Sequence, residues 1–396
     1  MHRSLVAVYG LLIAGDVLWS ALFPLGPAYR DELGLSATEV GILLAVFPVA
    51  VLVVSLPAGQ LADRVGPLKV TTLSAAILAI GAIGQAFAPD FGTLLVARAL
   101  QGLGFGAIWP AGLAYLQEVL PAHQRARILS SSMIVAGLAT MIGPTFGGAL
   151  ATSYDAGMPF LVGGIATAGL MALLIGLRDR PHTSRAATPL VATAARLSRD
   201  HLAVAGLAFM ALAGYVANTI HLLVPLDLRD DGAGEAAIGL GLTVGAAVFL
   251  CNSILLSRIG ARAVRVGLGA AAATLLGVLC VIPIISSQTE PLYVLLGLRG
   301  LPLSTLFAIA APLAALGADR VGAGRGGVLG ITNAIWAVAA ITGPILAGLL
   351  DDHVSSTAPW LLNIALCAVV VGWTLRSYFP PRSAAGTRCI DQEEVA

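Results

Sequence analysis

Long, uninterrupted runs of apolar residues, separated by short polar stretches, extend along the whole chain. A helix needs about 20 apolar residues to cross the hydrocarbon core of a bilayer, and the pattern predicts twelve such helices. The runs are continuous rather than alternating, which argues against barrel strands, and the first run is too long for a cleaved signal peptide. The predicted spans are residues 5–27, 40–62, 70–88, 92–116, 128–151, 158–177, 202–226, 236–256, 264–286, 291–316, 327–350 and 359–379.

The composition supports an all-α membrane protein. Of 396 residues, 58% are hydrophobic and 11% are charged, against about 25% charged residues in a soluble domain, and the mean hydropathy is +0.91. These values exclude a soluble enzyme, a disordered chain and a secreted disulfide scaffold. The net charge of +1 gives no reason to expect a nucleic-acid partner. The four cysteines have no C-x-x-C spacing, so we expect neither a metal site nor another cofactor.

The basic residues predict which ends of the spans face the cytoplasm. With the N-terminus inside, 18 of the 22 Lys and Arg residues lie in cytoplasmic segments. Arg30 and Arg229 lie outside, and Arg98 and Arg299 lie within spans. This positive-inside bias places both termini in the cytoplasm. We expect a monomer that crosses a prokaryotic plasma or inner membrane many times.

The polar stretch 178–200 divides the chain into two pseudo-symmetric halves of six spans. We expect an N-terminal half at 1–177, a cytoplasmic linker at 178–200, a C-terminal half at 201–379 and a cytoplasmic tail at 380–396. Duplicated halves predict a substrate site between them near the midplane, with access alternating between the two sides. Three features recur at offsets near 200: Gly143-Pro144 and Gly148 as Gly343-Pro344 and Gly348, Arg125 as Arg325, and Arg30-Asp31-Glu32 as Arg229-Asp230-Asp231.

The loop between the second and third spans combines a helix end, an acid, a glycine turn and cations. Asp63 is placed to accept hydrogen bonds from a neighbouring helix N-terminus or to pair with an arginine, and such a contact would hold one conformation. The alternative is a solvated charge in a cytoplasmic loop. The sequence of the loop is Gly59-Gln-Leu-Ala-Asp63-Arg64-Val-Gly66-Pro-Leu-Lys69.

Two further strings place small residues inside spans four and five. Gly143 and Gly147 form a G-x-x-x-G pair that permits close approach of another helix, and Pro144 removes one hydrogen bond and bends its helix. These features would seal the interface between the halves, or they are ordinary packing. The strings are Arg98-Ala-Leu-Gln101-Gly102-Leu-Gly104 in span four, and Gly137 followed by Gly143-Pro144-Thr-Phe-Gly147-Gly148 in span five.

Together the three strings resemble motifs of the major facilitator superfamily. In chain order they are similar to its G-x-L-a-D-R-x-G loop, its R-x-x-Q-G motif and the G-P-x-x-G-G motif of its drug/proton antiporter branch. The resemblance implies the major facilitator fold over nearly the whole chain, a conformational switch in the loop and a part for Arg98 in proton transfer. Pro67 and Leu68 depart from the loop motif, and the equivalent residues 257–262 of the second half contain no acid.

Asp16 is the only carboxylate deep within a predicted span. It lies about 16 Å into the membrane at 1.5 Å per residue, where an ionised Asp costs at least about 3 kcal/mol. An acid that must be neutralised by a proton or by a substrate can couple the two fluxes, which makes Asp16 the candidate for proton coupling. The alternative is a structural acid with a fixed partner.

The remaining polar and aromatic residues of the spans are weaker candidates. Arg98 must find an acid, a carbonyl or water, and Arg299, its approximate counterpart, would meet an anionic group of a substrate. Packing and interhelical hydrogen bonds are the alternative roles for this set. The candidate cavity residues are Trp19, Phe23, Trp109, Tyr215, Asn218, His221, Arg299, Asn333 and Trp336.

These features predict a proton-coupled secondary transporter that exports small, largely lipophilic molecules by alternating access. Its partners would be the substrate, protons and the lipid bilayer. No enzyme is expected, because no nucleophile–base pair or metal cluster lies in any span. A selective carrier for a sugar, amino acid or metabolite, working as a uniporter or symporter, remains the alternative. A non-transporting receptor or scaffold is a more remote one.

Overall fold

The computed structural model describes residues 2–120, 125–177, 190–286, 288–322 and 325–378. Within these ranges the chain is helical and contains no strand. The predicted tail 380–396 and the first part of the predicted linker, 178–189, lie outside the described residues. Side chains of Arg125 and Arg325 are also outside the description.

The helices divide into two compact units. Unit 1 contains Met1–Ala186 and the segment Pro225–Thr243, and unit 2 contains Ala187–Val224 and Val244–Ala396. The helices before the linker are α1 His2–Ala21, α2 Gly26–Leu33, α3 Ala37–Val65, α4 Pro67–Ala86, α5 Phe91–Val119, α6 Arg125–Ser153 and α7 Met158–Ala172. Helix α8, Leu190–Leu197, lies within the linker. Those after it are α9 His201–Asp230, α10 Glu235–Ile259, α11 Val266–Leu279, α12 Ile282–Ile285, α13 Thr289–Leu298, α14 Gly300–Arg320, α15 Arg325–His353 and α16 Ala358–Tyr378.

Eleven helical stretches of the described chain are long and apolar enough to cross a membrane. The predicted sixth span, 158–177, contains only the 15-residue helix α7. At 1.5 Å per residue α7 is about 22 Å long, which is shorter than the hydrocarbon core of a bilayer at about 30 Å. The structure therefore supports a multi-span helical membrane protein, and the predicted count of twelve spans is not confirmed.

Polar side chains set the starts of several helices. Ser36 and Glu39 form a capping box at the start of α3, in which each side chain bonds the other residue's backbone N–H. Asp90 caps α5 by accepting from the backbone N–H of Thr93 at 2.9 Å. Since a carboxylate that accepts hydrogen bonds is favoured over its acid form, the two bonds from Thr93 lower the pKa of Asp90.

The first predicted span is interrupted in the structure. α1 ends at Ala21, a 3₁₀ turn covers Phe23–Leu25, and α2 begins at Gly26. Pro24 has no N–H to donate to the carbonyl of Ser20, and its ring crowds that carbonyl, which favours a break in the helix at this point. The carbonyls of the last turn of α1 are consequently available to other donors.

Within unit 1, α5 packs against both α3 and α4. A Cβ on Gly102 would lie 2.6 Å from the carbonyl oxygen of Phe47 in α3, and one on Gly104 would lie 2.5 Å from the backbone nitrogen of Leu78 in α4. Small residues at helix contacts in membranes allow backbones to approach this closely. The glycines of the span-four string therefore fix α5 between its two neighbours.

Two helices of the chain correspond closely in length and position. α6 covers Arg125–Ser153 and α15 covers Arg325–His353, so both have 29 residues and their ends are offset by 200. Each continues through its proline, Pro144 or Pro344. In unit 2, α15 packs against α14 and α16, and α11 packs against the same two helices.

Candidate functional site

Asp16 lies in the second half of α1, with 7% of its surface exposed. Among the described residues its Oδ2 atom has no hydrogen-bond partner, and no basic side chain forms an ion pair with it. The backbone carbonyl of Asp16 accepts a bond from the Ser20 hydroxyl at 2.8 Å. A buried carboxylate without a cation is costly when ionised, so this position favours binding of a proton or of a cationic group.

Arg98 is fully buried in α5 and is directed at the end of α1. Its Nη1 donates to the carbonyl of Leu18 at 3.2 Å, and its Nη2 donates to the carbonyl of Trp19 at 3.0 Å. Both acceptors are in the last turn of α1, where a cation also interacts favourably with the helix dipole. Arg98 therefore caps α1. The sequence left an acid, a carbonyl or water as its partner, and the structure shows two backbone carbonyls.

A chain of hydrogen bonds connects Arg98 to a neighbouring helix. Arg98 Nη1 donates to Gln101 Oε1 at 2.7 Å, and Gln101 Nε2 donates to Gln85 Oε1 of α4 at 2.6 Å. Gln101 is fully buried and Gln85 is 1% exposed. Because the spacing of three residues puts Arg98 and Gln101 on one face of α5, the span-four string joins α1, α4 and α5 through polar contacts.

Five aromatic side chains form a continuous row in unit 1. Trp19 packs edge-on against Phe23 and stacks on Phe47, with ring centroids 5.2 and 6.2 Å apart. Phe47 contacts Phe105 at 5.5 Å, and Phe105 contacts Trp109 at 6.4 Å. A Cβ on Gly15 would collide with the Phe105 ring, so the aromatic row packs against α1 at the residue before Asp16.

Three members of the aromatic row are candidates from the sequence, namely Trp19, Phe23 and Trp109. Phe47 and Phe105 were not among the candidates, because they are on α3 and α5 and nothing in their local sequence distinguishes them from packing residues. The guanidinium carbon of Arg98 lies 4.7 Å from the centre of the Phe47 ring. A cation over an aromatic face is stabilised by about 2 kcal/mol when both are removed from water.

The loop between α3 and α4 is a tight turn at Gly66. Its φ of +107° lies in a region that L side chains rarely adopt, and its N–H donates to the carbonyl of Ala62 at 3.0 Å. Asp63 is partly buried, and within the described part of the chain no ion pair or hydrogen bond involves its carboxylate. Arg64 and Lys69 are exposed, whereas a Cβ on Gly59 would lie 3.9 Å from Pro110 of α5.

The glycines of the span-five string face two different partners. A Cβ on Gly143 would lie 2.8 Å from the carbonyl oxygen of Val17, and one on Gly147 would lie 2.5 Å from that of Ala21, so this pair faces α1. Gly148 instead contacts the backbone of Glu235 at the start of α10, within unit 1. Gly137 is on an exposed part of α6.

In unit 2, Arg299 lies between α13 and α14 and is 5% exposed. Its Nε donates to the carbonyl of Leu296 at 3.2 Å, and its Nη1 is 2.8 Å from Nε2 of His221 in α9. Arg299 is always charged, so it donates and the His221 nitrogen accepts. Asn218, one turn from His221, bonds the carbonyl of Gly214 in its own helix at 2.8 Å.

A cavity of about 670 Å³ in unit 2 is bordered by α8, α9, α15 and α16. Its lining is apolar except for Tyr215 and Thr342. Of the sequence candidates only Tyr215 lies on it; Trp336 contacts Gly214 from α15, and Asn333 is exposed. The volume is in the range that accommodates a small organic molecule.

Comparison with known proteins gives the family of the chain. The family model described as the Major Facilitator Superfamily matches residues 8–324. Quinolone resistance protein NorA of Staphylococcus aureus is 24% identical over 177 residues, which are 45% of this chain and 45% of that protein. The uncharacterized MFS-type transporter Rv1250 of Mycobacterium tuberculosis is 31% identical over 127 residues, which are 32% of this chain and 22% of that protein. The matched regions thus span less than half the length of these relatives.

Solved structures show the same fold. The nucleoside transporter NupG has a TM-score of 0.75 at 12% identity, with 95% of this chain and 100% of that chain covered. A bacterial homologue of the human lysosomal transporter Spinster, inward-facing and occupied, has a TM-score of 0.74 at 14% identity, with 94% and 95% covered. With the family model matching most of the sequence and transporters of this fold matching nearly all of the structure, this chain belongs to the Major Facilitator Superfamily.

Proposed function

We propose that this member of the superfamily is a proton-coupled exporter of small, largely lipophilic molecules. The observation that carries the proposal is the buried Asp16 carboxylate, which has an unbonded oxygen and belongs to α1, the helix that the aromatic row of unit 1 packs against at Gly15. A carboxylate in apolar surroundings is neutralised either by a proton or by a cationic group. Competition between these two for one site is sufficient to couple their fluxes.

The aromatic row supports the substrate class. Rings of Trp and Phe offer large apolar surfaces and attract cations to their faces. Trp19 and Trp109 are partly exposed, while Phe23 is 3% exposed. A flat, lipophilic molecule with a positive group would contact both the rings and Asp16. The resemblance to the quinolone resistance protein over part of the chain agrees with export.

The switch between inward-facing and outward-facing states is assigned in this proposal to two elements. The first is the loop around Gly66 and Asp63, whose tight turn makes α3 and α4 move together. The second is the glycine contact of α6 with α1, where Gly143 and Gly147 leave no space for a side chain. The cell envelope membrane of a bacterium is the proposed location, since the relatives described above are bacterial.

The test is substrate-dependent proton movement in proteoliposomes with an imposed pH gradient. Lipophilic cations, neutral antibiotics and organic anions are added to wild type and to Asp16→Asn. We expect protons to move with cations in wild type and not in Asp16→Asn, while the variant still exchanges labelled for unlabelled substrate. The matched control is Glu290→Gln, which makes the same chemical change at an exposed acid at the start of α13.

Two outcomes would contradict the proposal. Unchanged proton-coupled export by Asp16→Asn would remove Asp16 from the coupling. Substrate movement without protons in wild type would favour the alternative of a selective facilitated carrier, in which Asp16 orients the substrate.

A further inference from the structure

The cavity of about 670 Å³ in unit 2 extends along α15 from Gly330 to Thr342. At 1.5 Å per residue these two positions are about 18 Å apart, which is close to half of the hydrocarbon core of a bilayer at about 30 Å. On α9 the lining runs from Ala208 to Tyr215, in the half of that helix nearest the linker. The cavity therefore has the length of one acyl chain in a single leaflet.

The lining offers little to a polar ligand. Apart from Gly330, Tyr215 and Thr342, it consists of alanine, valine, leucine and isoleucine side chains. The Thr342 hydroxyl already donates to the carbonyl of Val338 in its own helix at 2.9 Å. A pocket for a drug-sized molecule usually combines apolar walls with a few placed polar groups, whereas an aliphatic chain needs only the walls. Val338 is 51% exposed, so the cavity opens at the surface of unit 2.

The equivalent position in unit 1 is filled by a side chain. The second residue of both α7 and α16 is a proline, at an offset of 200, which makes Leu170 and Val370 equivalent. A Cβ on Gly10 of α1 would lie 2.5 Å from Cδ2 of Leu170, so Leu170 packs directly on α1. Val370 is shorter and borders the cavity. The two halves differ here, and the shared fold alone does not require the open space.

Helix α8 closes the end of the cavity nearest the linker. Its Ala194 contributes to the lining, and α8 packs against both α14 and α15. Leu197 is fully buried among side chains of these two helices. Arg196 donates to the carbonyl of Gly322 at 3.2 Å. These contacts hold α8 on unit 2 beside the cavity.

Basic side chains are in excess at this end of unit 2. Asp200 is already engaged at the start of α9, where it accepts from a backbone N–H of the first turn at 2.9 Å. The distribution of basic residues places this end in the cytoplasm, and a cationic surface beside an apolar cavity complements an anionic phospholipid. Among the described residues here the basic ones are Arg196, Arg199, Arg320 and Arg376, and the acidic ones are Asp200 and Asp319.

We propose that this cavity binds one acyl chain of an anionic phospholipid from the cytoplasmic leaflet, with the headgroup phosphate on Arg196 and Arg199. Each arginine near an anionic headgroup contributes about fivefold in affinity. The site goes beyond the proposed function, because it belongs to unit 2, whereas Asp16 and the aromatic row belong to unit 1. Its ligand fills a gap between helices and is not transported.

The test uses full-length protein in detergent micelles and phosphatidylglycerol that carries a photoactivatable diazirine on one acyl chain. Labelled peptides are identified by mass spectrometry after irradiation. We expect label on residues 330–342 and 366–370, with unlabelled phosphatidylglycerol competing about 5- to 25-fold better than phosphatidylcholine.

Two double variants test the headgroup contact. Arg196→Gln/Arg199→Gln should abolish the preference for phosphatidylglycerol over phosphatidylcholine. Arg258→Gln/Arg262→Gln also removes two exposed arginines, from the end of α10 and the turn after it, and should retain the wild-type preference.

A cavity-filling variant tests the acyl-chain contact. Ala334→Phe places a ring in the cavity from α15 and should reduce labelling several-fold. Its control, Ala368→Phe, adds the same ring at an exposed position of α16 outside the lining and should label like wild type. If Ala334→Phe fails to fold, Ala211→Leu, a smaller filler on α9, takes its place.

Three results would overturn the proposal. Equal competition by the two phospholipids in wild type would remove headgroup recognition. Label outside the lining, or label unchanged by the filling variant, would remove the cavity as the site. Displacement of the label by the lipophilic cation tetraphenylphosphonium would assign the cavity to a transported substrate. No proton gradient is used, so failure of the proposed antiport would leave these results unaffected.

Discussion

The guanidinium of Arg98 donates to the backbone carbonyl of Trp19 at 3.0 Å, where α1 has been ended by Pro24. A helix interrupted inside a membrane exposes carbonyls that water cannot reach, and each is costly if left without a donor. Arg98, which lies on α5, donates to two of these carbonyls. The same side chain lies over Phe47 of the aromatic row, so one residue contacts both the end of α1 and the aromatic row.

The first prediction concerns this cap. Arg98→Lys keeps the charge but offers one nitrogen, which cannot bond Leu18, Trp19 and Gln101 together. Since each buried hydrogen bond to a charged group contributes about 1.5–3 kcal/mol, we expect the free energy of unfolding to fall by about 3 kcal/mol. The measurement is reversible unfolding in detergent micelles.

Arg3→Lys is the control for that prediction. Arg3 is exposed and makes one long bond, of 3.4 Å, to the carbonyl of Ile175, so its replacement should change stability by less than about 0.5 kcal/mol. Equal stability of Arg98→Lys and wild type would show that Arg98 does not cap α1.

The second prediction concerns the contact between α6 and α1. In Gly147→Ala the new methyl group would lie 2.5 Å from the carbonyl oxygen of Ala21, which is part of the backbone and cannot turn aside. Overpacking of this kind costs about 1–3 kcal/mol, and we expect a lower Tm. In Gly169→Ala the methyl group meets nothing within 4 Å, and the Tm should be unchanged or slightly higher. An unchanged Tm in Gly147→Ala would mean that α6 and α1 are less tightly packed than described.

The third prediction concerns the aromatic row. Phe105→Leu removes the ring that joins Phe47 to Trp109. Because an aromatic pair contributes about 0.5–1.5 kcal/mol beyond its buried area, we expect the Kd for flat aromatic cations to rise about 2- to 10-fold, measured by tryptophan fluorescence quenching. Phe307→Leu in unit 2 also removes one member of an aromatic pair, with Phe249 at 6.0 Å, and should leave the Kd unchanged. Equal effects of the two variants would place the binding surface elsewhere.

The fourth prediction concerns pH at the start of α5. The pKa of Asp90 is lowered in the folded state by the bonds from Thr93, so the ionised cap stabilises the helix start at neutral pH. A group whose pKa is depressed on folding loses this contribution as pH falls from its unfolded value, about 3.9, through its folded value. We expect the protection factor of the Thr93 amide, which is its intrinsic exchange rate divided by its observed rate at the same pH, to fall below about pH 4. In Asp90→Ala that protection factor should be low at every pH, and a pH-independent protection factor in wild type would contradict the cap.

The sequence predicted the helical membrane architecture because hydropathy over 20 residues is a strong signal. It did not predict the interruption of the first span, although Pro24 and Pro27 are visible, since the chain stays apolar across the turn. The same holds for Arg299, which separates α13 from α14 within a single predicted span. Hydropathy reports whether a segment is buried in lipid and not whether its helix is continuous.

The candidate site was predicted unevenly. Asp16 and Arg98 were found because a charged residue in an apolar run is conspicuous and requires an explanation. Phe47 and Phe105 were not found, because a phenylalanine in a membrane helix resembles any other packing residue until three helices bring it to its neighbours. Arg30 pairs with Asp230 and Arg229 pairs with Asp31. These reciprocal ion pairs depend on how the loops meet, which an internal repeat alone does not specify.

The groups that bind the buried Arg98 and Arg299 differ in how readily a mutation can change them. Arg98 is held by main-chain oxygens of Leu18 and Trp19, which every amino acid would supply. Arg299 is held on α9 by the imidazole of His221, which a single nucleotide change can replace. Natural variation can therefore change the partner of Arg299 on α9 in one step, while the two main-chain contacts of Arg98 with α1 do not depend on side-chain identity. We expect the second half of this chain to be the more adaptable one when a lineage meets new compounds.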